Sequence, residues 1–110
     1  MKRGDVITVA LSGDYGKPRP AVIIQSDRLA EVESVLICFV TSDLQDAPLY
    51  RVHIDPTPEN GLKVKSQIQA DKIFAAPRSR LGKVIGTIQG DILDRLDAAV
   101  GLAVGLFDRV

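Results

Sequence analysis

Two stretches with continuous apolar runs decide the fold, Lys17-Pro-Arg-Pro-Ala-Val-Ile-Ile24 and Val35-Leu-Ile-Cys-Phe-Val-Thr-Ser42. Short apolar runs that are bounded by turn residues are typical of strands buried on both faces. The prolines on either side of Arg19 indicate a loop before the first run, and hydroxyl residues end the second. The two runs therefore predict central strands at Ala21 to Ile24 and Val35 to Val40.

The flanking sequence adds shorter strand patterns and one helix. Alternating or β-branched residues predict further strands at Val6 to Leu11, Tyr50 to Ile54, Ser66 to Phe74 and Lys83 to Ile88. From Ile92 to Phe107 the apolar residues recur at helical spacing, which predicts an amphipathic helix. The pattern favours a mainly β fold of about five or six short antiparallel strands, curled or closed into a small barrel, with the helix covering an open face. We expect one domain over residues 1–110.

The composition excludes several classes of site. The 110 residues include one cysteine and one histidine, which rules out an intramolecular disulfide, a multi-cysteine zinc site and a histidine-cluster metal centre. The 14 basic and 14 acidic side chains balance, so binding of nucleic acid by bulk charge alone is excluded. Neither a Walker phosphate loop nor a persuasive Ser-His-Asp set is present. We therefore predict no metal ion and no cofactor.

The location of the protein is predicted from its apolar stretches and its cysteine. Val6 to Leu11 is too short for the apolar core of a signal peptide, and the ten uncharged residues from Ala98 to Phe107 are too few to span a membrane. A free thiol, that of Cys38, fits a reducing compartment. We expect a cytoplasmic protein that does not enter a membrane.

The balanced charge hides a basic segment. Residues 61–83 contain six basic side chains and a single acidic one, Asp71. Such a segment forms either a solvated face or an anion-binding surface continuous with the loop that contains Lys17 and Arg19, and the sequence leaves both open. The six basic residues are Lys63, Lys65, Lys72, Arg78, Arg80 and Lys83.

Arg19 and Thr41 are the strongest candidates for chemistry. Pro18 and Pro20 stiffen the backbone around Arg19, and a fixed guanidinium suits a phosphate because it donates two parallel hydrogen bonds. Thr41 and Ser42 follow a buried strand, where their hydroxyl groups either cap a turn or bind a phosphate oxygen.

Three further polar or ionisable residues have structural and functional interpretations. Asp71 either forms a structural ion pair or accepts a hydrogen bond from a base edge or a hydroxyl group, and Gln69 lies two positions before it. His53 alternates with apolar neighbours, so we expect it on the solvated side of its strand. Cys38 lies within an apolar run, and we expect it in the core.

Several blocks of the sequence together resemble the MazF/PemK toxins of bacterial toxin–antitoxin pairs. The blocks occur in the order of that family and cover nearly the whole chain. They are Arg3-Gly-Asp-Val6, Lys17-Pro-Arg-Pro-Ala-Val-Ile-Ile24, Phe39-Val-Thr-Ser42, Ser66-Gln-Ile-Gln-Ala-Asp71, Leu81-Gly-Lys-Val-Ile-Gly86 and the C-terminal helix.

The resemblance implies a fold and an activity. The fold is an SH3-like barrel of five to seven short antiparallel strands with a C-terminal helix, and the protein is a homodimer. The activity is that of a metal-independent endoribonuclease, which cuts single-stranded RNA at short sequences by attack of the 2′-hydroxyl on the adjacent phosphate. The expected partners are RNA and an antitoxin whose disordered acidic tail lies in a basic groove.

The resemblance also assigns roles to residues. Arg19, Thr41 and Asp71 correspond to catalytic positions of the family. The predicted substrate-binding residues are Lys17, Ser42, Gln69 and Lys72. The chain departs from many members at Ile7, where they have Trp, and at Gln69, where some have Arg, and its loop from Ser12 to Pro18 is shorter.

Two other functions are compatible with the same fold. A CcdB-like protein would poison DNA gyrase without enzymatic activity, through C-terminal residues that include Trp, whereas this chain has no Trp. A binding-only SH3-like module would bind RNA in a salt-dependent manner and release no product.

Overall fold

The computed structural model describes residues 1–10 and 17–109. Over these residues the chain forms one antiparallel six-stranded sheet, with strand order β4-β5-β3-β2-β1-β6, followed by helix α1. The strands and the helix are β1 (Asp5–Val9), β2 (Arg19–Ile23), β3 (Ser34–Thr41), β4 (Arg51–Ile54), β5 (Ser66–Pro77), β6 (Leu81–Thr87) and α1 (Gly90–Ala103).

The mainly β fold and the two central strands are confirmed, with differences at several boundaries. Arg19 and Pro20 belong to β2 rather than to the preceding loop, because Arg19 pairs with Val9 and Pro20 with Thr8. β5 continues to Pro77, beyond the predicted end at Phe74, because its last three residues still pair with Leu36, Val35 and Ser34 of β3. The predicted strand end at Leu11 lies outside the described residues.

The helix ends at Ala103, four residues before the end of its apolar pattern. Gly105 has a φ of 75°, its N–H donates to the carbonyl of Leu102 at 3.1 Å, and the N–H of Leu106 donates to the carbonyl of Gly101 at 2.8 Å. This pair of bonds is a Schellman motif, which terminates a helix at a left-handed glycine. Phe107 therefore folds back over Gly101, where an added Cβ would lie 3.0 Å from the aromatic ring.

Both faces of the sheet are buried, because successive residues of a strand point to opposite faces. On one face a cluster that includes Val6, Val22 and Cys38 packs against Leu96 and Ala99 of α1. On the other face a second cluster draws side chains from β1, β2, β3, β5 and β6, including Ile7, Ile37 and Ala76. The sheet is therefore strongly curled, in a barrel-like shape whose edge strands β4 and β6 are not paired with each other.

A β-bulge interrupts β5 next to β3. Val40 pairs with Ile68, but Cys38 pairs with Ile73, so the segment Gln69–Lys72 faces the single residue Phe39. A bulge leaves extra residues without partners in the ladder and bends its strand. It brings a polar segment to the middle of the sheet.

None of the helices in residues 1–10 and 17–109 is both long and apolar enough to cross a membrane.

Candidate functional site

The strand register aligns four polar residues in one row across the sheet. Thr41 pairs with Gln67, and Gln67 pairs on its other side with His53. The β2–β3 ladder ends at Ala21 opposite Phe39, and the same register continued by two residues sets Arg19 opposite Thr41. We name Arg19, Thr41, Gln67 and His53 the polar row. Residues directly opposite each other in an antiparallel sheet point to the same face, so the four side chains share a face.

Arg19 is held by an aromatic ring. Its Cζ atom lies 4.3 Å from the centroid of the Phe39 ring, which is a cation–π contact. Phe39 is itself buried, and its ring centroid is 6.0 Å from that of Phe74. The guanidinium is thus positioned by a strand and a stacked ring, in addition to the two flanking prolines.

The hydroxyl of Thr41 caps a turn, as one of the two interpretations predicts. Its Oγ1 accepts a hydrogen bond from the N–H of Asp43 at 3.1 Å. A hydroxyl group that accepts one bond still has its own proton to donate. Thr41 is half-buried, whereas Ser42 is exposed beside it. The turn therefore fixes the oxygen of Thr41 and leaves the proton available for another acceptor.

Asp71 lies in the bulge of β5 and forms an ion pair. Its Oδ2 is 3.6 Å from Nζ of Lys72, and the Asp71 side chain is 31% exposed. Burial, with a smaller contribution from the charge of Asp71, raises the pKa of the Cys38 thiol to about 12. Cys38 is fully buried, as expected, and stays a neutral core residue at physiological pH. Gln69, at the start of the bulge, is half-buried and pairs with Arg51.

The structure joins part of the basic segment to the strand that contains Arg19. Val9 pairs with Arg19 on one side and with Leu81 on the other. The N–H of Ala10 donates to the carbonyl of Arg80 at 3.2 Å. Arg80 and the exposed Lys17 and Lys83 therefore lie at the same end of the sheet as Arg19, which the sequence alone left open.

Arg51 is a residue of this face that sequence reasoning missed. The alternation of β4 predicts a half-exposed strand, yet Arg51 is only 8% exposed. Its Nη1 donates to the carbonyl of Asp43 at 3.0 Å and to Oε1 of Gln67 at 3.1 Å. The segment after Thr41 covers this side chain, and no local sequence signal announces such a long-range contact.

His53 is exposed at the far end of the polar row, as predicted. Its Nε2 lies 3.0 Å from Oδ1 of Asp55, and its carbonyl accepts a bond from Arg95 at 3.4 Å. A cavity of about 240 Å³ adjoins the row at this end. Its lining residues include Gln45, Asp46, Arg51, His53, Gln67 and Arg95.

Across residues 1–10 and 17–109, no group of three or more His, Cys, Asp or Glu side chains is arranged to hold a metal ion. The candidate site therefore consists of cationic, hydroxyl and amide groups with one carboxylate, a set suited to an anionic ligand such as a phosphodiester.

Residues 2–104 match the family described as PemK-like, MazF-like toxins of type II toxin–antitoxin systems. The chain belongs to this family. It is 44% identical over 108 residues to the probable endoribonuclease MazF of Mycolicibacterium smegmatis (strain ATCC 700084 / mc(2)155), covering 96% of this chain and 98% of that protein. It is 28% identical to endoribonuclease EndoA of Bacillus subtilis (strain 168), covering 98% and 97% of the two chains.

Solved structures of MazF-like proteins share the fold. An endoribonuclease in complex with its cognate antitoxin from a mycobacterial species superposes with a TM-score of 0.78 at 20% identity, covering 96% of each chain. A MazE–MazF structure from Deinococcus radiodurans gives 0.77 at 20% identity, covering 96% of this chain and 95% of that one. The resemblance to MazF/PemK toxins is thus confirmed, and the CcdB-like alternative is not favoured.

Proposed function

We propose that the chain is the toxin of a type II toxin–antitoxin pair and a sequence-specific endoribonuclease that cleaves single-stranded RNA without a metal ion. The observation that carries the proposal is the register of β2 and β3, whose continuation beyond Ala21 and Phe39 sets Arg19 opposite Thr41, in a chain of the MazF-like family. The fixed guanidinium and the neighbouring hydroxyl together suit one phosphate group.

The proposed reaction is an internal transfer at the scissile phosphate. The RNA 2′-oxygen bonds to phosphorus and the bond from phosphorus to the 5′-oxygen breaks. The products are a 2′,3′-cyclic phosphate and a 5′-hydroxyl, so no water is consumed. The 2′-hydroxyl loses its proton to a base, and the departing 5′-oxygen gains one.

Arg19 is the proposed stabiliser of the transition state. The pentacoordinate phosphorane has more negative charge on its equatorial oxygens than the ground state. A donor that is already in position stabilises this charge without reorganisation, and removal of one such donor costs about 10²–10³ in rate in other enzymes. The contact between Arg19 and Phe39 supports this role because it holds the guanidinium before substrate arrives.

Thr41 and Asp71 complete the proposed catalytic set. Thr41 donates its free hydroxyl proton to a phosphate oxygen, while the Asp43 N–H holds its oxygen. Asp71 accepts the proton of the 2′-hydroxyl, because a guanidinium with a pKa above about 12 is a poor base. The location of Asp71 supports this assignment, because the bulge lies opposite Phe39 in the ladder and the Phe39 ring contacts Arg19.

Four further residues are proposed to bind the RNA on either side of the scissile phosphate. Lys17 and Lys72 are exposed cations that suit the flanking phosphates, and Ser42 is an exposed hydroxyl next to Thr41. The side-chain amide of Gln69 both donates and accepts, which suits the edge of a base. Neutralised phosphates release counterions, so binding should weaken steeply with salt.

The test is cleavage of a long defined RNA in EDTA, with the product ends mapped. We expect cuts at a short sequence, with 5′-hydroxyl and cyclic phosphate ends. Arg19→Ala should abolish most of the cleavage, and Arg28→Ala, which removes an exposed arginine beyond the opposite end of β2, should cleave like wild type. The proposal is refuted if wild type does not cleave the RNA, or if Arg19→Ala cleaves it as fast as wild type. Capture of DNA gyrase, with the RNA left intact, would favour a CcdB-like poison.

The proposed partners are an antitoxin and a second copy of the chain. An acidic disordered tail of the antitoxin would compete with RNA for the basic end of the sheet around Arg19 and Arg80. A homodimer is supported by the large apolar side chains exposed around the end of α1, which are Leu102, Val104, Leu106 and Phe107. Sedimentation equilibrium tests the dimer: a monomer at micromolar concentration would refute it.

A further inference from the structure

Arg51 is a buried arginine whose side chain donates hydrogen bonds to the segment after Thr41 and to Gln67 of β5. It is 8% exposed, and its Nε is buried without a hydrogen-bond partner among the described residues. Its Nη1 bonds the Asp43 carbonyl and Oε1 of Gln67. Among the ion pairs found within the described residues, none involves Arg51. Burial of a cation without a counter-ion is costly, so its polar contacts must offset much of that cost.

Arg51 and Gln67 together hold the segment that follows Thr41. We call their hydrogen bonds to each other and to Asp43 and Gln45 the bracket. Gln67 is 9% exposed, and its amide donates to the carbonyl of Gln45 at 2.9 Å while its Oε1 accepts from the N–H of Gln45 at 3.0 Å. Arg51 thus holds Asp43 directly and Gln45 through Gln67. Two strands, β4 and β5, fix the segment that follows β3.

The bracket bears on the orientation of the Thr41 hydroxyl. The N–H of Asp43 donates to Oγ1 of Thr41, and the carbonyl of the same residue accepts from Arg51. If Asp43 moves, the oxygen of Thr41 loses its fixed donor and the side chain can rotate. A displacement of about 1 Å at a reacting group can cost roughly 10²-fold in rate.

We propose that Arg51 is a positioning residue, which holds the segment after β3 so that the Thr41 hydroxyl points its proton at the scissile phosphate. The proposal rests on the proposed endoribonuclease function. Arg51 borders the cavity at the end of the polar row, but we assign it no contact with the RNA because it is 8% exposed and its Nη1 is shared between two protein acceptors. Its effect on cleavage passes through Thr41.

The kinetic test is a double-mutant cycle of Arg51→Met and Thr41→Val, with kcat and KM measured on a defined RNA. In the wild-type background Arg51→Met should lower kcat about 10- to 100-fold with little change in KM. In the Thr41→Val background the same substitution should cost less than about threefold, because groups that act as one unit are not additive. Arg51→Lys, which keeps a donor for the Asp43 carbonyl, should restore part of kcat.

The matched control is Gln25→Met. Gln25 is also buried, at 7% exposure, and it braces a different loop through the carbonyl groups of Leu29 and Ser34. This variant should lose thermal stability and keep kcat. Equal losses from Arg51→Met with and without Thr41, or a loss confined to KM, would overturn the positioning role.

Amide hydrogen exchange separates the failure of this proposal from the failure of the nuclease. The N–H of Asp43 should exchange slowly in wild type and Arg51→Lys, and quickly in Arg51→Met, while amides of β2 stay protected. If wild type does not cut RNA, the proposed function fails and this measurement still decides what Arg51 holds. Unchanged exchange at Asp43 in Arg51→Met refutes the positioning role even if that variant is less stable overall.

Discussion

Arg19 and Arg51 lie on the same face of the sheet and are held in opposite ways. Arg19 is half-buried at the start of β2, and its guanidinium stacks on Phe39. Arg51 is buried in β4 and donates to two protein acceptors. A stacked guanidinium keeps its donors for a ligand, whereas a hydrogen-bonded one has given them to the fold. The comparison teaches that burial and bonding, rather than residue type, separate the arginine proposed to act on a substrate from the one proposed to support the site.

The largest effect that tests this contrast is on catalysis at Arg19. Arg19→Ala should lower kcat by about 10²–10³, because a preorganised donor to the phosphorane is lost. The free energy of unfolding should change by less than about 1 kcal/mol, the size of a cation–π contact at a partly exposed site. Single-turnover cleavage measures the change in rate, and urea denaturation measures the change in the free energy of unfolding. A large loss of stability would show that Arg19 is part of the scaffold.

The converse effect is on stability at Arg51. Arg51→Met should destabilise the protein by about 1–3 kcal/mol, because the Asp43 carbonyl and Oε1 of Gln67 are left without a donor inside the protein. Urea denaturation measures the change, with Arg51→Lys as the partial rescue. A variant as stable as wild type would mean that the segment after β3 does not depend on this bracket.

A smaller effect is expected when the ring under Arg19 is removed. Phe39→Leu keeps an apolar core residue but deletes the cation–π contact, which contributes about 0.5–1 kcal/mol. If that energy serves to position the guanidinium, kcat of Phe39→Leu should fall about two- to fivefold, whereas Phe39→Tyr should keep the wild-type kcat. Cleavage kinetics on one RNA distinguish the two variants. Equal rates for Phe39→Leu and wild type would show that the Phe39 ring does not position Arg19 for cleavage.

The smallest effect is expected at the exposed ion pair of the bulge. Lys72→Met should change the free energy of unfolding by less than about 0.5 kcal/mol, because Lys72 is 60% exposed and such pairs are weak. RNA binding, measured by fluorescence anisotropy against salt, should lose about one unit of its salt slope, as expected for one phosphate contact. A destabilisation above 1 kcal/mol would assign Lys72 to the fold instead of to the RNA.

The sequence predicted those parts of the molecule that depend on local periodicity. The apolar runs of β2 and β3 and the helical spacing of α1 are local patterns, and the structure has each element close to its predicted place. The end of the helix was predicted too late because the apolar spacing continues to Phe107. The glycine at 105 was the available stop signal, since a left-handed residue ends a helix at this point.

The parts that could not be predicted depend on contacts between distant segments. Arg51 reads as one polar residue of an alternating strand, and it is buried only because residues 43–45 fold over it. The bulge at Gln69–Lys72 arises from two different registers on either side of it, which no single strand encodes. The neighbourhood of Arg19 and Thr41 follows from strand order. The sequence pointed to both residues through the prolines around Arg19, the strand that ends at Thr41 and the family resemblance, but not to the distance between them.

A change in the length of β5 has different consequences in the bulge and in the regular parts of the strand. Residues 69–72 have no partners in the β3 ladder, but Gln69 pairs with Arg51 of β4 and the N–H of Ala70 donates to the carbonyl of Tyr50. A residue added or removed at Asp71 or Lys72 is therefore the change that can be absorbed without moving Ile68 or Ile73. The same change within a regular part of β5 would send every following side chain to the opposite face. Asp71 and Lys72 lie in the middle of the sheet, in the bulge opposite Phe39. The chain can therefore change this part of the proposed RNA-binding surface while the surrounding hydrogen-bond ladder stays in register.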